Sequence, residues 1–142
     1  MTADLRIAIE PPDNAGMGIV MAQLSAYNAS KSGGEMPDYL FIAARDASGE
    51  VRGGLVGGTY LGWLSVQMVS LDESLRGQGH GATLMRLAEE EAVRRGCPRV
   101  FLETLDFQAL PFYEKLGYVV HSRLEGFPHP SGTRYTLTKM LG

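Results

Sequence analysis

Hydrophobic and polar positions change period several times along the chain, and those changes mark its elements. Residues 5–9, Leu-Arg-Ile-Ala-Ile, alternate with period two and predict a first strand, stopped by Pro11 and Pro12. Asp13 or Asn14 then offers a cap for a helix reaching about Ser30. Its apolar positions Ile19, Val20, Leu24 and Tyr27 fall at helical spacing, and Gly16 and Gly18 weaken its first turn. Residues 32–37 read as a flexible loop closed by Asp38 and Tyr39, which read as a solvated acid and a half-buried ring or as substrate contacts. A meander follows: strands at 39–45, 51–60 and 63–71, joined by a hairpin loop at 46–50 and the Leu61-Gly62 turn. The glycines at 53, 54, 57 and 58 imply a bend, a bulge or close backbone approach in the middle strand of the three.

From Gly81 to Arg95 the period becomes helical, with Leu84, Leu87, Ala88 and Ala92 on one face. Glu90–Arg94 and Glu91–Arg95 are expected ion pairs on the other, and the run Glu89-Glu90-Glu91 reads as a solvated face rather than a catalytic cluster. Gly96 and Pro98 end this helix. A fifth strand is predicted at 99–105, and its place after a helix implies a right-handed crossover and parallel pairing with the fourth. A short helix starting near Pro111 is closed by Gly117. Strands at 118–124 and 134–140 flank a loop at 126–132. The sum is one α/β domain over residues 1–142, with a mixed sheet of about seven strands.

The stretch with the most chemical content is Arg76-Gly77-Gln78-Gly79-His80-Gly81, between a strand and a helix. Glycines there remove Cβ atoms that would hold a phosphate off the backbone N–H groups, and a helix N-terminus adds unpaired donors and positive dipole. A phosphate-bearing ligand is therefore expected. A P-loop is excluded because no Gly-Lys follows. The spacing Gly77-x-Gly79-x-x-Ala82 fits a loose dinucleotide fingerprint, but residues 72–76 separate the strand from the first glycine and no strand-borne acid lies at the required distance.

Bulk properties narrow the class. Net charge is -3 and no basic run exceeds two residues, which argues against a nucleic-acid groove and for a neutral or cationic substrate. The single cysteine, Cys97, allows neither a disulfide framework nor a cysteine-based zinc site, and reads as a packed small residue; no metal is expected. No apolar stretch suits a signal peptide or a membrane span, so a cytoplasmic setting without membrane partners is expected.

The order R-x-x-G-x-G between strand and helix resembles the pyrophosphate loop of the GCN5-related N-acetyltransferases, the GNAT superfamily. Residues 109–118, Ala-Leu-Pro-Phe-Tyr-Glu-Lys-Leu-Gly-Tyr, are similar to its A-x-x-x-Y-x-K-x-G-[FY] segment, and the resemblance runs over about residues 39–141. It implies a mostly antiparallel sheet in which strands four and five are parallel and splay apart around acetyl-CoA. It further implies that the backbone of Gly77, Gln78, Gly79, His80, Gly81 and Ala82 binds pyrophosphate, with Arg76 at the loop's start. Main-chain groups of Val69, Ser70 and Leu71 would pair with pantetheine, the Val69 N–H would hold the oxyanion, and Tyr113 would protonate the leaving thiolate. The implied activity is acetyl transfer from acetyl-CoA to a primary amine of a small molecule or protein, by direct attack in a ternary complex. Relatives are often dimers, so a homodimer is an implied partner state.

The sequence departs from the family's pattern at three points. Asp106 stands where Asn is frequent, and His80 fills a slot that is usually aliphatic. Gln67 occupies the place of the fourth-strand glutamate that serves several relatives as general base. Glu103 is then the remaining candidate base. The missing glutamate also leaves room for a different class of function, a CoA-binding regulatory module with weak or no catalysis.

Overall fold

A computed structural model describes residues 4–142. The chain falls into two compact units divided between Met36 and Pro37. The first holds helix α1 (Asn14–Lys31), begun as its sequence suggests: the Asp13 carboxylate accepts the Gly16 N–H at 2.6 Å and caps the first turn. Residues 5–9 form no strand. Alternation supplies an apolar face, but a strand also needs a neighbour to pair with, and the Leu5, Ile7 and Ile9 side chains are exposed.

The second unit is a sheet with two helices. Its elements are β1 (Asp38–Arg45), β2 (Val51–Tyr60), β3 (Trp63–Leu71), α2 (His80–Arg94), β4 (Arg99–Leu105), α3 (Leu110–Lys115), β5 (Val119–Glu125) and β6 (Thr133–Met140). The sheet has six strands among the described residues, in the order β1-β2-β3-β4-β6-β5. With no strand at 5–9, the expected count of seven drops by one, and the expected parallel pair of strands four and five is β3 and β4. Every other pairing is antiparallel.

Helix α2 covers one face of this sheet. It buries Leu84, Met85, Ala88 and Ala92 against a core that includes Leu55, Leu64, Val100 and Leu137. Met85 takes the inward position expected of Leu87, which is 39% exposed. Positions 84, 85, 88 and 92 make one continuous stripe on a helix, and Leu87 lies beside it rather than in it. The acidic run also differs from expectation. Glu90 pairs with Arg86 instead of Arg94, while Glu91 takes both Arg94 and Arg95. Glu89 is not solvated: it accepts the Tyr118 hydroxyl at 2.8 Å and the Lys139 ammonium at 2.9 Å. That partnership, after burial, pushes the Tyr118 phenol far above its ordinary pKa.

Candidate active site

The opening in the sheet is made by strand pairing that stops early. β3 and β4 are in register from Trp63↔Arg99 to Val66↔Leu102, and pair no further, although β3 runs on to Leu71 and β4 to Leu105. The stop coincides with a bulge. On β2, Val56 faces Met68 and Gly57 faces Val66, so Gln67 is the extra residue of β3. A bulge bends its strand and adds local twist, which turns the end of β3 away from β4.

Beyond the bulge the direction of the backbone groups can be worked out. The Asp72 N–H donates to the Arg52 carbonyl at 2.8 Å, toward β2. The Ser70 carbonyl lies on that edge too, 2.4 Å from where a Cβ on Gly53 would be, so Gly53 must lack one. Polar groups of successive strand residues alternate between edges. Those of Val69 and Leu71 therefore face the opening, while those of Ser70 face β2. Of the three residues expected to pair with a ligand, Val69 and Leu71 thus turn backbone groups to the opening and Ser70 turns its own to β2. The Leu71 carbonyl already accepts the Arg76 guanidinium at 3.2 Å, which ties the start of the glycine loop to the end of the opening.

The loop that follows is held by short-range bonds. Asp72 accepts the Ser74 N–H and hydroxyl, which hold its carboxyl below the usual range, and caps a single 3-10 turn, Glu73–Leu75. The Gln78 amide donates to the Ser74 carbonyl at 2.8 Å. Gly77 and Gly79 have φ of 73° and 84°, conformations that strain any residue with a Cβ. Gly79 is the N-cap of α2, and its carbonyl receives the Thr83 N–H at 3.2 Å. The N–H groups of His80, Gly81 and Ala82 thus precede the first helical bond. Gly81 differs from the other two loop glycines: a Cβ there would lie 3.2 Å from the Phe112 ring, so this glycine admits α3 rather than a ligand.

Tyr113 comes from α3 and lies on the α2 side of the sheet, in the cluster with Val66, Met85 and Leu102. Phe112 and Tyr118 meet its ring edge-on at 5.0 and 6.0 Å. Burial alone pushes its phenol above the ordinary pKa, so it is protonated at neutral pH. Glu103 and Gln67 are the first residues past the paired segment on their strands. The Glu103 carboxylate pairs with Arg134, whose guanidinium lies 4.7 Å over the Phe127 ring and so links Glu103 to the loop at 126–132. Asp106 is occupied elsewhere, exchanging two 3.0 Å bonds with the backbone of Thr133. His80 opens α2 and is exposed.

Sequence reasoning singled out only Tyr39 and Gln67 from a group of residues beside this opening. On the sheet face away from α2, Tyr39, Tyr60, Trp63 and Phe101 surround a cavity of about 320 Å³ over Gly58 and Ser65, with Gln67 also on its lining. These side chains come from four strands. Beyond the place of Tyr39 at the end of the 32–37 loop, the sequence signal is the alternation that puts Trp63, Ser65 and Gln67 on one face.

Comparison with known proteins agrees with the geometry. Residues 18–118 match the Acetyltransferase (GNAT) family. An acetyltransferase of Agrobacterium fabrum is 42% identical over 95 residues, covering 67% of this chain and 69% of the relative. The blasticidin-S acetyltransferase of Streptomyces morookaense is 39% identical over 94 residues, covering 66% and 68%. The crystal structure of an acetyltransferase from Bacillus cereus superposes with a TM-score of 0.80 at 25% identity, covering 95% of this chain and 98% of that one. A candidate acetyltransferase from Agrobacterium tumefaciens reaches 0.87 at 32% identity, covering 96% and 99%. The match to that family spans more than half of the residues and the relatives are acetyltransferases, so this chain belongs to the GNAT family of acetyltransferases.

Proposed function

We propose that this chain transfers an acetyl group from acetyl-CoA to a primary amine of a small molecule or protein, by direct attack in a ternary complex. The observation that carries the reading is the free edge of β3 beyond Val66, where Val69 and Leu71 turn backbone groups toward an opening that ends at the glycine loop. Pantetheine would add to that edge as an extended strand, and pyrophosphate would sit on the N–H groups from Gly77 to Ala82. The neutral amine attacks the thioester carbonyl, and the Val69 N–H takes the charge that develops on its oxygen. Collapse of the tetrahedral adduct breaks the carbon–sulfur bond. Tyr113, kept protonated by burial, gives its proton to the departing thiolate. We assign the amine's proton to Glu103, directly or through water.

One residue favours a second reading. Gln67 at the bulge cannot act as a base, which suits a CoA-binding regulatory module with little or no turnover. A thiol-release assay with acetyl-CoA and a panel of amines separates the two; blasticidin S belongs in the panel because a 39% identical relative bears its name. The transfer reading predicts release with at least one acceptor, and a fall in turnover of about 100-fold in Tyr113→Phe with CoA affinity within about twofold. Tight binding of acetyl-CoA without release across the panel would favour the regulatory module. Equal turnover in Tyr113→Phe would remove that residue from the acid role.

A further inference from the structure

We infer that the cavity on the outer face of the sheet is the acceptor pocket, and that it takes a small amine carrying a flat unsaturated ring. The inference rests on the acetyl-transfer reading only for what happens to the amine; the binding claim stands on the cavity itself.

The pocket is built by register. Tyr39 pairs with Gly58, Gly58 with Ser65, and Ser65 with Phe101, so these four residues form one row across β1, β2, β3 and β4. Paired strand residues point to the same face. Gly58 contributes no side chain and Ser65 only a hydroxymethyl, so the middle of the row is low and its two ends are aromatic walls. Tyr60 and Trp63 close the next row. The Trp63 and Phe101 rings meet at 69° with centroids 5.8 Å apart, which leaves flat aromatic surface at two orientations around one space. Flat unsaturated rings meet such surface by offset or edge-on contacts that puckered rings make less well. At about 320 Å³ the space stands at the small end of ligand pockets, with room for a ring and a short arm.

Charge fixes which way the ligand lies. The Arg99 guanidinium sits 5.8 Å from the Trp63 ring and disfavours an ammonium at that end. At the other end are the Gln67 amide, whose oxygen can accept an amine N–H, and, across the opening on β4, the Glu103 carboxylate, its charge offset by Arg134. A ring toward Trp63 and an amine toward Gln67 satisfies both ends, and delivers the amine where β3 and β4 part. The Ser65 hydroxyl can donate to or accept from a ring substituent.

Trp63 is the only tryptophan of the chain, so its emission reports on this cavity alone. The test titrates the full-length protein with phenethylamine and with cyclohexylethylamine, which share an arm and differ in the ring, each with and without CoA. The expected result is a saturable emission change in at least one of the two conditions, with phenethylamine binding about 3- to 10-fold more tightly. Tyr39→Ala, at an exposed ring, should weaken phenethylamine about threefold with an unchanged melting temperature. Equal affinity for the two amines, or no saturable change with either in both conditions, overturns the inference. Failure of acetyl-CoA to bind would sink the transfer reading, and the titration without CoA would still decide what the cavity holds.

Discussion

Backbone groups line the opening between β3 and β4, whereas aromatic rings stand beside it on the outer face, where the two strands are still paired. Toward the glycine loop, the proposed chemistry rests on the N–H groups of Val69 and of the first turn of α2 and on the buried Tyr113. On the outer face it sits in Tyr39, Tyr60, Trp63 and Phe101. The difference fits the two ligands proposed. A donor that never changes can be held by groups every residue has, provided glycines expose them. An acceptor that differs between relatives needs side chains, which can be exchanged without disturbing the backbone. Helix α2 holds both sides in place. Its N-terminus faces the loop, and Arg95 at its C-terminal end bonds the carbonyls of Asp38 and Tyr39 at 3.0 and 3.2 Å, which fixes the start of β1.

The sharpest way to break this contrast is to change a glycine. Gly79→Leu must accommodate a Cβ at φ of 84° and puts a side chain into the space the loop leaves open. CoA affinity, read by calorimetry, should fall more than about 100-fold, with amine binding at Trp63 retained. Loss of both would mean that the two sides are not separate. A smaller effect is expected from Glu103→Gln, whose carboxylate now pairs with Arg134. It should lower kcat/KM about 10- to 100-fold while leaving the CoA dissociation constant within about twofold. An unchanged kcat/KM would return Glu103 to a structural role.

The smallest effect belongs to the far end of α2. Arg94 and then Arg95 hold the half-buried Glu91 carboxyl down from its ordinary 4.5 to about 2. A depressed folded-state pKa stabilises the protein above the unfolded value and loses that contribution as pH falls through the folded one. Glu91→Gln should therefore lower the melting temperature by a few degrees or less at pH 7, and the gap should close between about pH 4.5 and 2. Because Arg95 also holds the backbone at Tyr39, the same variant should weaken phenethylamine and not CoA. A gap that persists at pH 2 would show that packing, not charge, is responsible.

The two sides also differ in how they can be read from the chain. Backbone sites need glycines at fixed places, so Gly77 and Gly79 announce themselves, and Tyr113 follows from a compact ten-residue segment. Gly81 belongs to the same motif for another reason, close approach of Phe112, which spacing cannot distinguish. Beyond Tyr39, the aromatic pocket leaves no local signal, because its residues are neighbours only through register across four strands. Glu89 departs from the expected solvated face for a related reason: its partners, Tyr118 and Lys139, are 29 and 50 residues away. Alternation alone suggested a strand at residues 5–9, and pairing, which alternation does not encode, decides whether one forms.

The most direct measurement is calorimetric titration with acetyl-CoA, with NADH and ATP as controls. The account predicts saturable binding of acetyl-CoA, and at most weak binding of the other two. No binding of acetyl-CoA, or equal binding of all three, would contradict the assignment of the loop and the β3 edge to an acyl-CoA donor.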